Sequence, residues 1–302
     1  MKHLIFLLLI GCSTASTPER SIEELFEHYR IASSPGALSI PQESISDEDL
    51  AAILGDPRTP ELRSLELSGN QLTSTGLGHI LSSPKTQALT FLNLAHNHLD
   101  DESIQALASS SRMTSIEHLL LAGNRIGPIG TTYLTKSPHL QNLRVLSLGN
   151  QGIEDGGAIA LAELDSLETL DLSQAQITAS GASKLLEKSK AETLILSGNP
   201  LNRGTLNLER FSGELTELEL RDCSIGAEEL DALQSVDHGG SIRTINLNNN
   251  PLGDAGTAAL GRAGWLSALK SMEAYESGAS LESLKALRES WGKRGGLKVE
   301  TR

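Results

Sequence analysis

One arrangement of residues returns along most of this chain at a fixed spacing. Leu62, Leu65, Leu67, Asn70 and Leu72 recur as Leu89, Leu92, Leu94, Asn97 and Leu99. They recur again as Ile116, Leu119, Leu121, Asn124 and Ile126, each set 27 residues after the last. A short unit of this kind cannot bury its own apolar face. It gains a core only by stacking on copies of itself, so a stacked, elongated array is expected.

The units start at Leu62, Leu89, Ile116, Leu143, Leu167, Ala191, Leu215, Ile242 and Leu269, in steps of 27, 27, 27, 24, 24, 24, 27 and 27. In each, alternation around a short strand sends residues such as Leu65 and Leu67 inward and Ser64, Glu66 and Ser68 outward. Fourteen residues after each start stand Gly76, Ser103, Gly130, Gly157, Gly181, Thr205, Glu229 and Gly256. The small ones are expected to let a helix approach the strand layer. Pro200, Thr205 and Glu209 predict a poorly helical outer segment in the unit from Ala191. The chain lacks the Gly-x-x-x-x-Gly-Lys-Ser/Thr pattern of a phosphate loop, so these glycines are read as packing positions.

The units resemble leucine-rich repeats, and their length and helical second half resemble the ribonuclease-inhibitor-like subclass. The resemblance covers roughly residues 35–290. It implies an α/β leucine-rich repeat solenoid, curved, with parallel strands on the concave face and helices on the convex face. It also implies a ladder of side chains bonding the turns of adjacent units: Asn70, Asn97, Asn124, Asn199, Cys223 and Asn250. Gln151 and Ala175 depart from it, and Asn150 is a candidate stand-in for Gln151. Local weakness is expected between those two units. The expected divisions are a signal peptide (1–11), a lipidated N-terminus and tether (12–20), a capping helix with a degenerate repeat (21–61), the repeats (62–268), and a degenerate last repeat with a C-terminal cap (269–302).

Counting back 27 residues from Leu65, Leu67 and Leu72 gives Leu38, Ile40 and Ile45, a first strand in that degenerate unit. Before it, Ser21 and Glu24 read as a capping box, with Ile22, Leu25, Phe26 and Tyr29 on one helical face. A helix closing the open end of the array is expected, a partner-docking helix being the alternative. At the other end, Leu281, Leu284, Leu287 and Trp291 predict a closing helix.

The chain opens with Lys2, an apolar run from Leu4 to Ile10, then Gly11 and Cys12. The run suits an export signal and is too short to span a bilayer as a helix. Leu9-Ile10-Gly11-Cys12 resembles the bacterial lipobox, which implies cleavage before Cys12 and a lipid on its sulfur. Ser13, where an aspartate would favour inner-membrane retention, implies an outer-membrane address in a cell that has one. Only Cys12 and Cys223 are present, so no disulfide framework holds the chain. The formal net charge of −13 opposes nucleic-acid binding; it admits a basic partner and equally serves solubility.

No catalytic constellation is found, and neither cofactor nor metal is expected. His96 and His98 stand beside Asp100 and Asp101, but they bracket Asn97 in a repeat turn and are read as loop residues. Function is therefore sought on the outward strand positions. One column runs Ser64, Phe91, His118, Val145, Thr169, Thr193, Glu217 and Thr244. The next runs Glu66, Asn93, Leu120, Ser147, Asp171, Ile195, Glu219 and Asn246. A third carries Arg221. Phe91, His118, Leu120 and Val145 form a candidate protein-binding patch rimmed by Glu66, Asn93 and Asp171. Glu217, Glu219 and Arg221 form a charged spot. The expectation is a monomeric, lipid-anchored envelope protein that binds another protein and catalyses nothing. The alternatives are an envelope-organising protein without a specific ligand, or an inhibitor or regulator of an enzyme.

Overall fold

The computed structural model describes residues 36–206, 211–235, 241–292 and 298–300. The signal segment, Cys12, the tether and the helix expected from Ser21 lie outside the described residues, as do Glu209 and His238. Each unit contributes a three-residue strand: β1 (Ala37–Ser39), β2 (Ser64–Glu66), β3 (Phe91–Asn93), β4 (His118–Leu120), β5 (Val145–Ser147), β6 (Thr169–Asp171), β7 (Thr193–Ile195), β8 (Glu217–Glu219), β9 (Thr244–Asn246), β10 (Ser271–Glu273) and β11 (Lys298–Glu300). They form one parallel sheet in chain order. The opposite layer holds α1 (Asp47–Gly55), α2 (Ser74–Ser82), α3 (Asp101–Ser109), α4 (Pro128–Thr135), α5 (Glu154–Leu161), α6 (Ala179–Lys188), α7 (Ala227–Ala232), α8 (Gly253–Arg262) and α9 (Leu281–Gly292). A helix is about 10 Å wide and a strand about 4.8 Å, so stacking such units bends the body with the strands inside.

The core lies between the layers. In the unit from Leu89, the side chains of Leu89, Leu92, Leu94, Leu99, Ile104 and Leu107 are all fully buried. Each contributes roughly 1.5–3 kcal/mol of burial. The degenerate first unit follows suit, with Leu38, Ile40, Ile45, Leu50 and Ile53 buried as expected. At the far end Leu284, Leu287 and Trp291 are buried, but Leu281 is 85% exposed, so it stands off the apolar face of α9. The closing segment does more than cap: β11 adds a strand beyond the last recognisable repeat.

Four of the 27-residue units carry a tight turn that the 24-residue units from Leu143 and Leu167 lack; the 27-residue unit from Ile116 shows none among the described residues. These 3₁₀ turns are Pro84–Thr86, Ser111–Met113, Leu233–Ser235 and Gly264–Leu266. Three residues make one such turn. The unit from Ala191 shows no helix between Ile195 and Glu217 among the described residues. Phe211 fills part of that space by stacking on the buried Trp265 at 5.1 Å between ring centroids. The Trp265 indole N–H is buried there without a hydrogen-bond partner among the described residues.

The ladder forms and extends further than the sequence suggests. Asn124 Nδ2 donates to Leu94 O at 3.0 Å and Leu121 O at 2.8 Å, while its Oδ1 accepts from Leu99 N at 3.0 Å. Asn70, Asn97, Asn199 and Asn250 repeat the arrangement. Gln151 is no departure. Its longer arm still reaches Ile126 N, Leu121 O and Leu148 O at 3.1–3.2 Å, so Asn150 is not needed as a substitute. Cys223 is buried and its thiol donates to Leu196 O at 3.2 Å. The lapse narrows to Ala175, where no side chain can bond the preceding turn.

The residue before each ladder position is left-handed in every unit, from Gln42 (φ 58°) and Gly69 (φ 68°) to Asn249 (φ 58°) and Glu276 (φ 52°). The sequence shows this only as an excess of Gly, Asn, Asp and His there.

A second set of inter-unit bonds is absent from the sequence reading. Asp47, Asp101, Asp155 and Asp254 each stand at or beside the start of a helix and reach the next unit's helix start. Asp47 accepts from Thr73 N at 2.9 Å, Asp101 from Gly127 N at 2.7 Å and Gly130 N at 2.9 Å, Asp155 from Thr178 N at 2.7 Å, and Asp254 from Ser280 N at 2.7 Å. This extends the reading of three glycines. A Cβ on Gly76, Gly130 or Gly181 would lie 2.2, 2.5 or 2.6 Å from such a carboxylate oxygen. These glycines make room both for the neighbouring helix's aspartate and for a core side chain of their own unit, Leu72, Ile126 or Ile177.

Candidate functional site

Strand register places the outward residues in columns. Phe91 pairs with His118, His118 with Val145, and Asn93 with Leu120. Phe91, His118, Leu120 and Val145 thus meet on three adjacent strands of the concave face, each half-buried and turned away from the core. The Phe91 and His118 rings lie 6.0 Å apart at 38°. Ile195 is set apart on β7, beyond Ser147 and Asp171 in its own column.

The flanking carboxylates are tied into the sheet. Glu66 accepts from Ser68 N at 2.8 Å and from Asn93 Nδ2 at 2.6 Å. Asp171 accepts from Ser147 Oγ at 2.8 Å and from Ser173 N at 3.0 Å. These contacts hold Glu66, Asn93 and Asp171 as fixed polar borders of the apolar patch.

The charged spot is reorganised. Arg221 turns to Asp222, with Nε 3.1 Å from Oδ2, so it does not neutralise Glu217 or Glu219. Glu219 is half-buried and hydrogen-bonds Asn246. Burial pushes its carboxyl above the usual range, and the nearby charges of Glu217 and Glu273 push the same way. Glu273 accepts from Asn248 Nδ2 at 2.9 Å. Glu273 and Asn248 belong to this face and were missed in the sequence. The signal was the 27-residue step from Asn246 to Glu273, obscured by the drift of the last unit.

The remaining candidates are accounted for structurally. His96 and His98 are exposed, Asp100 caps α3 through Ser103 N at 2.9 Å, and Asp101 clamps α4. No group of three or more His, Cys, Asp or Glu side chains among the described residues could hold a metal ion. Burial pushes the Cys223 thiol up to about 12, away from nucleophilic chemistry. A polar cleft of about 670 Å³ is lined by Glu154, Gln174, Gln176, Thr178 and Arg203. No helix among the described residues is long and apolar enough to cross a membrane.

The Leucine Rich repeat family matches residues 60–80, 87–108, 139–162 and 165–186 of the chain. These segments carry β2, β3, β5 and β6 and the helices that follow them. The chain thus carries leucine-rich repeats at four positions on an α/β solenoid fold. No curated protein matches it.

Proposed function

We propose that this protein is a membrane-anchored lipoprotein whose concave sheet face binds another protein. The observation that carries the binding role is the register that gathers Phe91, His118, Leu120 and Val145 on β3–β5. Aliphatic and aromatic side chains on the outer side of a sheet add nothing to its core. Grouped and fixed by polar borders, they suit the apolar centre of an interface. Leucine-rich repeats as a class are associated with protein–protein interaction, which supports the same role. The helix-bearing units of 24–27 residues support the ribonuclease-inhibitor-like subclass. The anchor is read from Leu9-Ile10-Gly11-Cys12 after a short apolar run: lipid on Cys12 holds the solenoid at a cell-envelope membrane, the outer one where present.

Two substitutions test the two halves. Phe91→Asp with Leu120→Asp is expected to leave the circular dichroism spectrum unchanged and to abolish a crosslink formed in cells through a photoreactive residue at position 118. A crosslink that persists removes the patch from the interface. Cys12→Ala is expected to abolish fatty-acid labelling and release the protein from membranes; a variant that still takes up label refutes the anchor.

A further inference from the structure

The concave face is polarised along its length. Its apolar part lies on β3–β5, and its uncompensated negative part lies on β8–β10, where Glu217, Glu219 and Glu273 have no ion-pair partner among the described residues. Arg243 and Lys270 stand one residue before β9 and β10, off the outward positions, while Lys298 begins β11 in register with Ser271, at the far edge of the sheet from Glu217 and Glu219. Half-burying a carboxylate beside two others is unfavourable unless a cation comes to meet it. No metal-holding group exists among the described residues, so that charge is suited to spread, multi-point cations. From β4 to β9 is five strand steps, or about 24 Å, which about seven extended residues span.

We propose that the occupant of this face is a polypeptide segment with an apolar side chain over β3–β5 and lysine or arginine side chains over β8–β10. It rests on the protein-binding role proposed above and gives that partner its chemistry and polarity. The test is selection of random 12-residue peptides, displayed on phage, against the whole folded chain. Enriched peptides are expected to carry an aromatic or large aliphatic residue and a Lys or Arg roughly seven positions apart. Their affinity should fall about tenfold in Glu217→Gln/Glu219→Gln/Glu273→Gln, and their salt dependence should flatten in that variant. If binders tolerate that variant but are lost in Phe91→Asp/Leu120→Asp, the polarity is wrong and the binding face stands. If binders tolerate both variants, or none is enriched, the face is not the site and both proposals fall. Both variants change outward residues only, and retained thermal unfolding shows that they fold.

Discussion

The units before and after Leu167 use one plan with different fidelity. From β2 to β5 the ladder is unbroken through Asn70, Asn97, Asn124 and Gln151, and every unit carries a helix. From β6 onward the ladder lapses at Ala175, carries a thiol at Cys223 and ends at Ser277, and one unit shows no helix among its described residues. The backbone compensates the same way each time. Where a carboxamide is present, as for Leu72, Leu99 and Ile126, the amide two residues past the preceding ladder position bonds it. Where it is missing, that amide folds back on its own turn. Ile153 N bonds Gln151 O at 3.0 Å, Leu201 N bonds Asn199 O at 2.9 Å, and Leu252 N bonds Asn250 O at 2.8 Å. The ladder residue is thus one of two solutions to the same demand, that a buried turn amide find an acceptor.

The sharpest way to break that equivalence is to remove a carboxamide from the regular half. Asn124→Ala leaves Leu99 N, Leu94 O and Leu121 O without their partner, in a backbone not shaped for the fold-back turn. A loss of about 2–4 kcal/mol in urea unfolding is expected. A loss below about 1 kcal/mol would mean that the two solutions interconvert freely, and the contrast between the halves would be one of sequence alone.

The contrast also marks what was legible in the sequence. Strand positions, core leucines and outward columns followed from period and alternation, because burial repeats strictly. The ladder was legible by identity, so Asn70 was found and Gln151 misjudged: reach is geometric, and an extra methylene does not show whether the amide still arrives. The aspartate clamps were hidden because they occupy only some units, at Asp47, Asp101, Asp155 and Asp254, and look like ordinary helix-start acids. The apolar patch was visible from spacing. The loss of Arg221 to Asp222 was not, because a long side chain chooses among neighbours by local geometry.

A smaller effect tests the cost of the fold-back turn. After Ile153 and Leu252 the chain passes through a left-handed residue, Glu154 at φ 57° and Gly253 at φ 56°. These are equivalent positions, and only one has the residue suited to it. Glu154→Gly is expected to stabilise the protein by about 1 kcal/mol, and Gly253→Ala to destabilise it by about as much. Urea midpoints would show both. A destabilising Glu154→Gly would mean that its side chain makes a contact outweighing the backbone strain.

The least of these effects concerns the acidic end of the later half. Glu219 titrates above its ordinary value of 4.5 because burial and the charges of Glu217 and Glu273 disfavour its ionised form. Below that value the carboxyl is protonated in folded and unfolded chains alike and contributes nothing to the difference. As pH rises past it, the unfolded chain loses the proton first, so the folded state grows relatively less stable until Glu219 itself ionises. Glu219→Gln removes the ionisation and can keep the bond from Asn246. Its melting temperature should match the wild type at acid pH and exceed it modestly at neutral pH, the gap opening between. A gap already present at acid pH would point to altered packing, and a gap of the opposite sign would mean that an attractive charge already compensates Glu219. Either result would remove the electrostatic basis for a cationic occupant at that end of the sheet.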